Sequence, residues 1–298
     1  MKVNPMSLLS SELRPIEVRL PFLIKKSLLS AIGLLILVSL QACGSGANTP
    51  LPDPNVQAQN LFYGVQAKFF VGVSELNQGL TFSASNCDTL SQVASSTPTY
   101  QSFACTVKGT GPLDFMAKDA QGRVLLTKTF TVPLPQVSMV TSQGTVLLEL
   151  NPNAAPLSVN NFLQYVSDGF YAGTIFHRVI PGFVVQAGGF TTGLVPKNPS
   201  YPSIPLESQN GLLNTMGTLA MARTSDPNSA TSQFFVNLVD NSFLNYKDAS
   251  NPGYVVFGTV VSGMDVINAI GTSKTGTVNS YTDVPVSDIT ITSMTRIK

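Results

Sequence analysis

A chain of 298 residues, 43% of them hydrophobic, is long enough to form two domains with cores of their own. Charged residues make up only 11% and the net charge is +1, which excludes an electrostatic footprint for nucleic acid or an acidic surface. One His and three Cys without metal-ligand spacing imply no zinc site, and no cofactor is expected.

In chain order, Lys25 and Lys26 precede an apolar run from Leu28 to Leu40. The run falls short of the roughly 20 residues a membrane-spanning helix needs, and it fits the h-region of a signal peptide over residues 1–42. The ending Leu40-Gln41-Ala42-Cys43 resembles a bacterial lipobox, which makes Cys43 the lipidated first residue of the mature protein. A single-pass anchor with a buried Cys is the other reading of this segment. Gly44, where no Asp follows the Cys, favours the outer over the inner membrane. The expected location is therefore the bacterial cell envelope, lipid-anchored, with the domains in the periplasm or at the cell surface. Each buried lipid methylene contributes about 0.8 kcal/mol to such an anchor.

Residues 43–56, rich in Gly and Pro, read as a tether. From 57 to 135 the pattern is short strands and turns. Val65, Ala67, Phe69, Val71 and Val73 alternate with period two, as do Phe103, Cys105 and Val107. Leu113 to Ala117 and Val124 to Val132 read as further strands around an Ala120-Gln121-Gly122 turn. A small β-sandwich is expected, with an immunoglobulin-like arrangement as one fit. Cys87 and Cys105 are one candidate disulfide in an oxidising compartment, worth roughly 3 kcal/mol; a free buried pair is the alternative. This segment carries no chemistry and reads as a spacer or docking module.

Pro133-Leu134-Pro135 marks a boundary, and residues 136–298 form the second domain. A strand is expected over Val146 to Leu150. Val159, Phe162, Leu163 and Val166 then give one helical face over Pro156 to Asp168, with Gly169 as stop. A second helix is expected from Gly263 to Ile270. Between them lie strand-like runs at Thr174–Ile180, Phe183–Gln186, Gly217–Ala222, Gln233–Leu238 and Tyr254–Val261. The fold class is mainly β, with a closed antiparallel barrel capped by two helices behind the small sandwich.

Phe176-His177-Arg178-Val179-Ile180-Pro181-Gly182-Phe183-Val184-Val185-Gln186 resembles the central signature of the cyclophilin-type peptidyl-prolyl cis/trans isomerases. Gly217 to Arg223, Ser232 to Val236, Phe243-Leu244-Asn245 and Tyr254 to Gly258 continue that resemblance in order, from about Val137 to the C-terminus. Ala222 to Pro227 is similar to the bacterial branch. The resemblance implies rotation about X-Pro bonds, whose barrier is roughly 18–20 kcal/mol although cis and trans differ by only about 0.5–1 kcal/mol. A donor to the prolyl nitrogen and an apolar grip on the ring lower such a barrier by binding the twisted state more tightly than either planar one.

By that resemblance Arg178 is the donor, and Gln186 holds the carbonyl side and orients the Arg. Phe183, Val184, Phe235, Leu244 and Tyr254 line the proline pocket, with Gln233 on the face of Phe235, and Ala222 and Arg223 meet the substrate backbone. His177 receives no catalytic duty, because the reaction transfers no proton. Val184 stands where many relatives carry Met, Ala187 where they carry Gly, and Tyr254 and Arg223 where the eukaryotic branch has His and Asn. Phe243 replaces a Trp of cyclosporin-sensitive members, which implies weak cyclosporin binding. The implied partners are proline-containing peptides and unfolded envelope or secreted proteins, met by a monomer. A non-catalytic proline-peptide binding module or an envelope scaffold is the alternative.

Overall fold

The computed structural model describes residues 55–72, 79–95 and 98–298. The signal segment, Cys43, nearly all of the tether and Val73 lie outside the described residues.

Seven strands open the described chain: β1 (Val56–Gln59), β2 (Gln66–Gly72), β3 (Thr81–Ala84), β4 (Ser91–Val93), β5 (Tyr100–Thr106), β6 (Gly111–Lys118) and β7 (Val124–Val132). They form two antiparallel sheets, ordered β1-β2-β5-β4 and β3-β6-β7. In letters this is A-B-E-D against C-F-G, the strand order of a constant-type immunoglobulin sandwich. The inward alternate residues make one core. Phe69 of β2 stacks on Phe115 of β6 across the sheets at 5.0 Å between ring centroids. Cys87, between β3 and β4, is disulfide-bonded to Cys105 of β5.

Eleven strands and two helices follow: β8 (Gln136–Thr141), β9 (Gly144–Leu150), α1 (Pro156–Ser167), β10 (Thr174–Ile180), β11 (Val184–Thr191), β12 (Val195–Pro196), β13 (Thr218–Met221), β14 (Phe234–Asn237), β15 (Val256–Ser262), α2 (Met264–Gly271), β16 (Thr275–Val278), β17 (Tyr281–Pro285) and β18 (Ile291–Arg296). Eight of these strands run side by side in the order β10-β11-β14-β13-β15-β9-β8-β18. A bridge between Ile175 of β10 and Thr290, next to β18, closes the barrel expected from the sequence. Its interior is filled by Phe162, Tyr165, Tyr171, Phe234 and Phe257, all fully buried. The barrel is therefore a packed core.

Helix α1 has no cap of its own at Ala155. The carboxylate of Glu207 takes that part, accepting from the N–H groups of Leu157 and Ser158 at 2.9 and 2.8 Å and from the Ser158 hydroxyl at 2.7 Å. A negative charge there is favourable, because the N–H groups of the first turn, to which Pro156 adds none, lack intrahelical partners. At the other end Gly169, with φ +66°, closes a Schellman motif. The Gly169 N–H donates to Val166 O and the Phe170 N–H to Tyr165 O, while the Phe170 ring packs on Tyr165.

Tyr63, from the β1–β2 connection of the sandwich, is counted among the buried residues of the barrel core. Burial raises its hydroxyl pKa, and the Asn160 side chain is its hydrogen-bond partner. The Arg296 guanidinium donates to the Tyr63 carbonyl at 2.5 Å, and Asn153 exchanges two bonds with the backbone of Thr110. The sandwich is thus pinned to the barrel by a ring and two polar anchors.

Tyr63→Ala should cost about 3 kcal/mol of unfolding free energy, as large aromatic truncations in cores do. Urea denaturation followed by far-UV circular dichroism checks this. A change below about 1 kcal/mol would mean that the ring adds nothing to the barrel.

Candidate functional site

On the strands next to β10, side chains alternate between the barrel interior and its outer face. Val185 and Ala187 of β11, Phe234 and Val236 of β14, Leu219 and Met221 of β13, and Phe257 of β15 point into the core. Val184, Phe235, Ala220 and Val256 point outward into a second apolar cluster, with Phe183, Ala222, Leu244 and Tyr254 packed against it. Both faces are covered, so these strands read as nearly continuous apolar runs.

The register places the outward residues in one row. Arg178 faces Gln186, Gln186 faces Phe235, Phe235 faces Ala220, and Ala220 faces Val256. A bulge in β10 sets the first member. The pairing slips between Phe176 and Arg178, so that Phe176 enters the core, His177 packs against Phe190 at 4.7 Å, and Arg178 turns outward. Re-aiming a side chain in this way is a recurrent use of bulges beside sites.

Along this row lies a cavity of about 310 Å³, lined by Arg178, Phe183, Val184, Gln186, Ala222, Arg223, Phe235, Leu244 and Tyr254. Nine of the ten residues read from the sequence as catalytic or substrate-binding meet there. The tenth, Gln233, sits behind the wall. The Gln186 amide donates from Nε2 to Gln233 Oε1 at 3.0 Å. The Gln233 side chain lies so close to β11 that a Cβ on Gly189 would fall 2.5 Å from it.

The walls differ in character. Tyr254 meets Phe235 edge-on at 5.6 Å, and the Arg223 guanidinium lies 4.5 Å over the Tyr254 ring. Arg223 donates from Nε and Nη2 to Gly253 O and from Nη1 to Thr224 O, so its head group is held as part of the wall. Phe183 is stacked on Phe243 at 5.6 Å, with Phe243 63% exposed at the rim. Arg178 is freer: its side chain is 40% exposed, and Nε lies 3.9 Å from Asp283 Oδ2. Asp283 belongs to β17, a strand the sequence reading did not mark. Its contact with Arg178 joins positions too far apart in the chain for spacing to show. The arrangement offers an apolar slot and one part-exposed guanidinium donor at its rim.

His177 is buried, and burial lowers its pKa to about 4, with the neighbouring Arg178 charge acting in the same direction. Its Nδ1 has no hydrogen-bond partner among the described residues. It is a neutral packing residue.

With these residues in place, comparison with known proteins is direct. The family model described as cyclophilin type peptidyl-prolyl cis-trans isomerase matches residues 136–296. A peptidyl-prolyl cis-trans isomerase of Acinetobacter baylyi is 48% identical over 170 residues, 57% of this chain and 89% of that relative. Peptidyl-prolyl cis-trans isomerase B of Escherichia coli is 49% identical over 161 residues, 53% of this chain and 98% of that relative. Among solved structures, a Cryptosporidium parvum cyclophilin type peptidyl-prolyl cis-trans isomerase in the presence of the dipeptide Ala-Pro is 28% identical. It covers 55% of this chain and 99% of its own, with a TM-score of 0.47.

The His177 environment gives a pH dependence of stability. Its pKa is near 6.5 in an unfolded chain and about 4 in the folded one, so between those values only the unfolded chain takes up the proton. The contribution is complete above pH 6.5 and is lost as the pH falls toward 4, by about 3 kcal/mol in total. Urea denaturation of the parent and His177→Gln at pH 7 and pH 4.5 should therefore give a steeper acid loss in the parent. Parallel losses would show that His177 takes up its proton without unfolding.

Proposed function

The chain belongs to the cyclophilin-type peptidyl-prolyl cis-trans isomerase family and is an enzyme of that activity, and we propose that its reaction runs in the pocket headed by Arg178. The prolyl ring of the substrate fills the slot formed by Phe183, Val184, Phe235, Leu244 and Tyr254. Arg178 donates a hydrogen bond to the prolyl nitrogen as that nitrogen pyramidalises and leaves conjugation. Gln186, held by Gln233, receives the peptide on the carbonyl side. No covalent bond to the protein forms and no proton is transferred. The enzyme acts by binding the twisted amide more tightly than either planar form. The observation that carries this reading is the single cavity lined together by Arg178, Gln186 and the five apolar walls.

We propose further that the substrates are proline-containing segments of envelope and secreted proteins, and that a lipid on Cys43 holds the enzyme in the bacterial envelope. The basic-then-apolar run before Cys43 supports this, as does the Cys87–Cys105 disulfide, which suits an oxidising compartment. The same reading divides the chain into a signal segment over 1–42, a tether over 43–56, a sandwich over 57–135 and the isomerase over 136–298. It takes the working unit to be a monomer.

Exchange NMR on a short Ala-Pro peptide tests the site. The parent should accelerate cis–trans exchange, and Arg178→Ala should lose about 10²–10³ of that rate, the usual cost of one transition-state donor. Equal rates in both would remove Arg178 from the role; a folded parent without exchange would leave a binding module. Cyclosporin should bind weakly in calorimetry, since Phe243 at the rim offers a ring but no indole N–H. Tight binding would show that the rim residue does not decide that affinity.

A further inference from the structure

Three of the pocket walls stand outside the strands: Phe183 beside β11, Leu244 in the 3-10 turn Ser242–Leu244, and Tyr254 just before β15. Backbone hydrogen bonds tie Phe183 to Leu238 and Leu244 to Tyr254, and a chain of buried asparagine amides joins the first pair to the second. We propose that Asn214, Asn237 and Asn241 are positioning residues that set the width of the proline pocket. The proposal rests on the reading of the site given above and deepens it.

Asn214, Asn237 and Asn241 are 1%, 0% and 2% exposed. Asn241 Nδ2 donates to the carbonyl of Phe183 at 3.1 Å and to Asn237 Oδ1 at 2.8 Å. Asn237 Nδ2 donates onward to Asn214 Oδ1 at 3.2 Å and to Thr218 Oγ1 at 2.9 Å. Asn214 Nδ2 completes the chain, reaching the carbonyls of Leu244 at 3.2 Å and Tyr254 at 3.3 Å, and also Asn245 Oδ1 at 3.2 Å. One continuous path of amides therefore runs from the backbone of Phe183 to the backbones of Leu244 and Tyr254. Two backbone bonds brace it: Asn241 N–H to Asn214 O, and Tyr254 N–H to Leu244 O, both 2.8 Å.

The side-chain type is decisive. Each middle member must donate on one side and accept on the other, which a primary amide does and a carboxylate does not. Replacing Asn214 by an apolar residue would leave the Tyr254 carbonyl without its donor, and replacing Asn241 would leave Asn237 Oδ1 unpaired and take one of two donors from the Phe183 carbonyl, costs that the walls would relieve by moving. Asn237 stands on the outward face of β14, two residues beyond Phe235, so the strand that supplies a wall also supplies the brace for the others.

Most of the grip of these walls on the ring is common to planar and twisted states, and that common part is uniform binding. Loosening the walls should raise KM and leave kcat nearly unchanged, the reverse of losing a transition-state donor. The test is exchange NMR on the full chain against increasing Ala-Pro peptide, comparing the parent, Asn241→Ala and Asn214→Asp. Val159→Ala, in the core under α1, is the control for lost stability alone. We expect KM to rise roughly ten-fold in the asparagine variants with kcat within about three-fold, while Val159→Ala keeps the parent KM. Should either variant fail to fold, Asn241→Ser retains a small donor and is expected to show an intermediate KM. Parent-like KM in folded asparagine variants would overturn the proposal, as would a fall in kcat without a change in KM. A folded parent without exchange would instead overturn the reading of the site on which it rests.

Discussion

The constraint on which the rest depends is the two-residue alternation of β10, β11, β14, β13 and β15. One set of side chains fills the barrel and the other builds the site, so core and pocket are the two faces of the same strands. A slip of one residue in any of them would exchange Phe234 for Phe235 or Val185 for Val184, and neither face would survive it. The interior aromatics therefore do more than stabilise. Phe162, Tyr171, Phe234 and Phe257 interlock at centroid distances near 5.3–5.5 Å, and by fixing which residues face inward they fix which face outward. A bulge at His177 is what turns Arg178 outward and brings its guanidinium to the pocket.

Much of this was legible in the sequence, and the limits have physical causes. Strand β10 begins and ends where the apolar run does, and α1 begins at Pro156, because a local pattern determines each. The pocket residues were legible because their order along the chain resembles a known signature. Strands β16 and β17 were missed. Most of their residues are exposed or half-buried and show no alternation, and they are held by pairing with each other and by Val284 and Tyr281, which pack on Ile175 and Phe190. In the sandwich, β1, β3 and β4 are only three or four residues long, too short for a period to register. Gln233 could be assigned a face but not a depth, since its approach to Gly189 depends on packing between two strands. The asparagine chain was invisible for a different reason. Hydrogen bonds between residues 183, 214, 237, 241 and 254 leave no periodic trace, and a lone Asn is an ordinary loop residue.

The join between sandwich and barrel follows the same logic of shared surfaces. Only Pro133, Leu134 and Pro135 separate β7 from β8, which leaves little slack, and Pro restricts the backbone further. Tyr63 then places part of the sandwich in the barrel core, while the family model's match begins only at residue 136. A segment outside the matched portion is thus built into the hydrophobic interior of the matched portion.

The pocket opens on the outside of the barrel wall, and the lumen is filled. A substrate has nothing to thread through and needs no free end. On the proposed reading of the pocket, a proline in mid-chain, or in a loop of a protein already largely folded, can be laid against the wall, turned and lifted away. On that reading, access is limited by how far the flanking chain stands clear of its own fold, so segment protrusion rather than chain length would decide which prolines this surface serves.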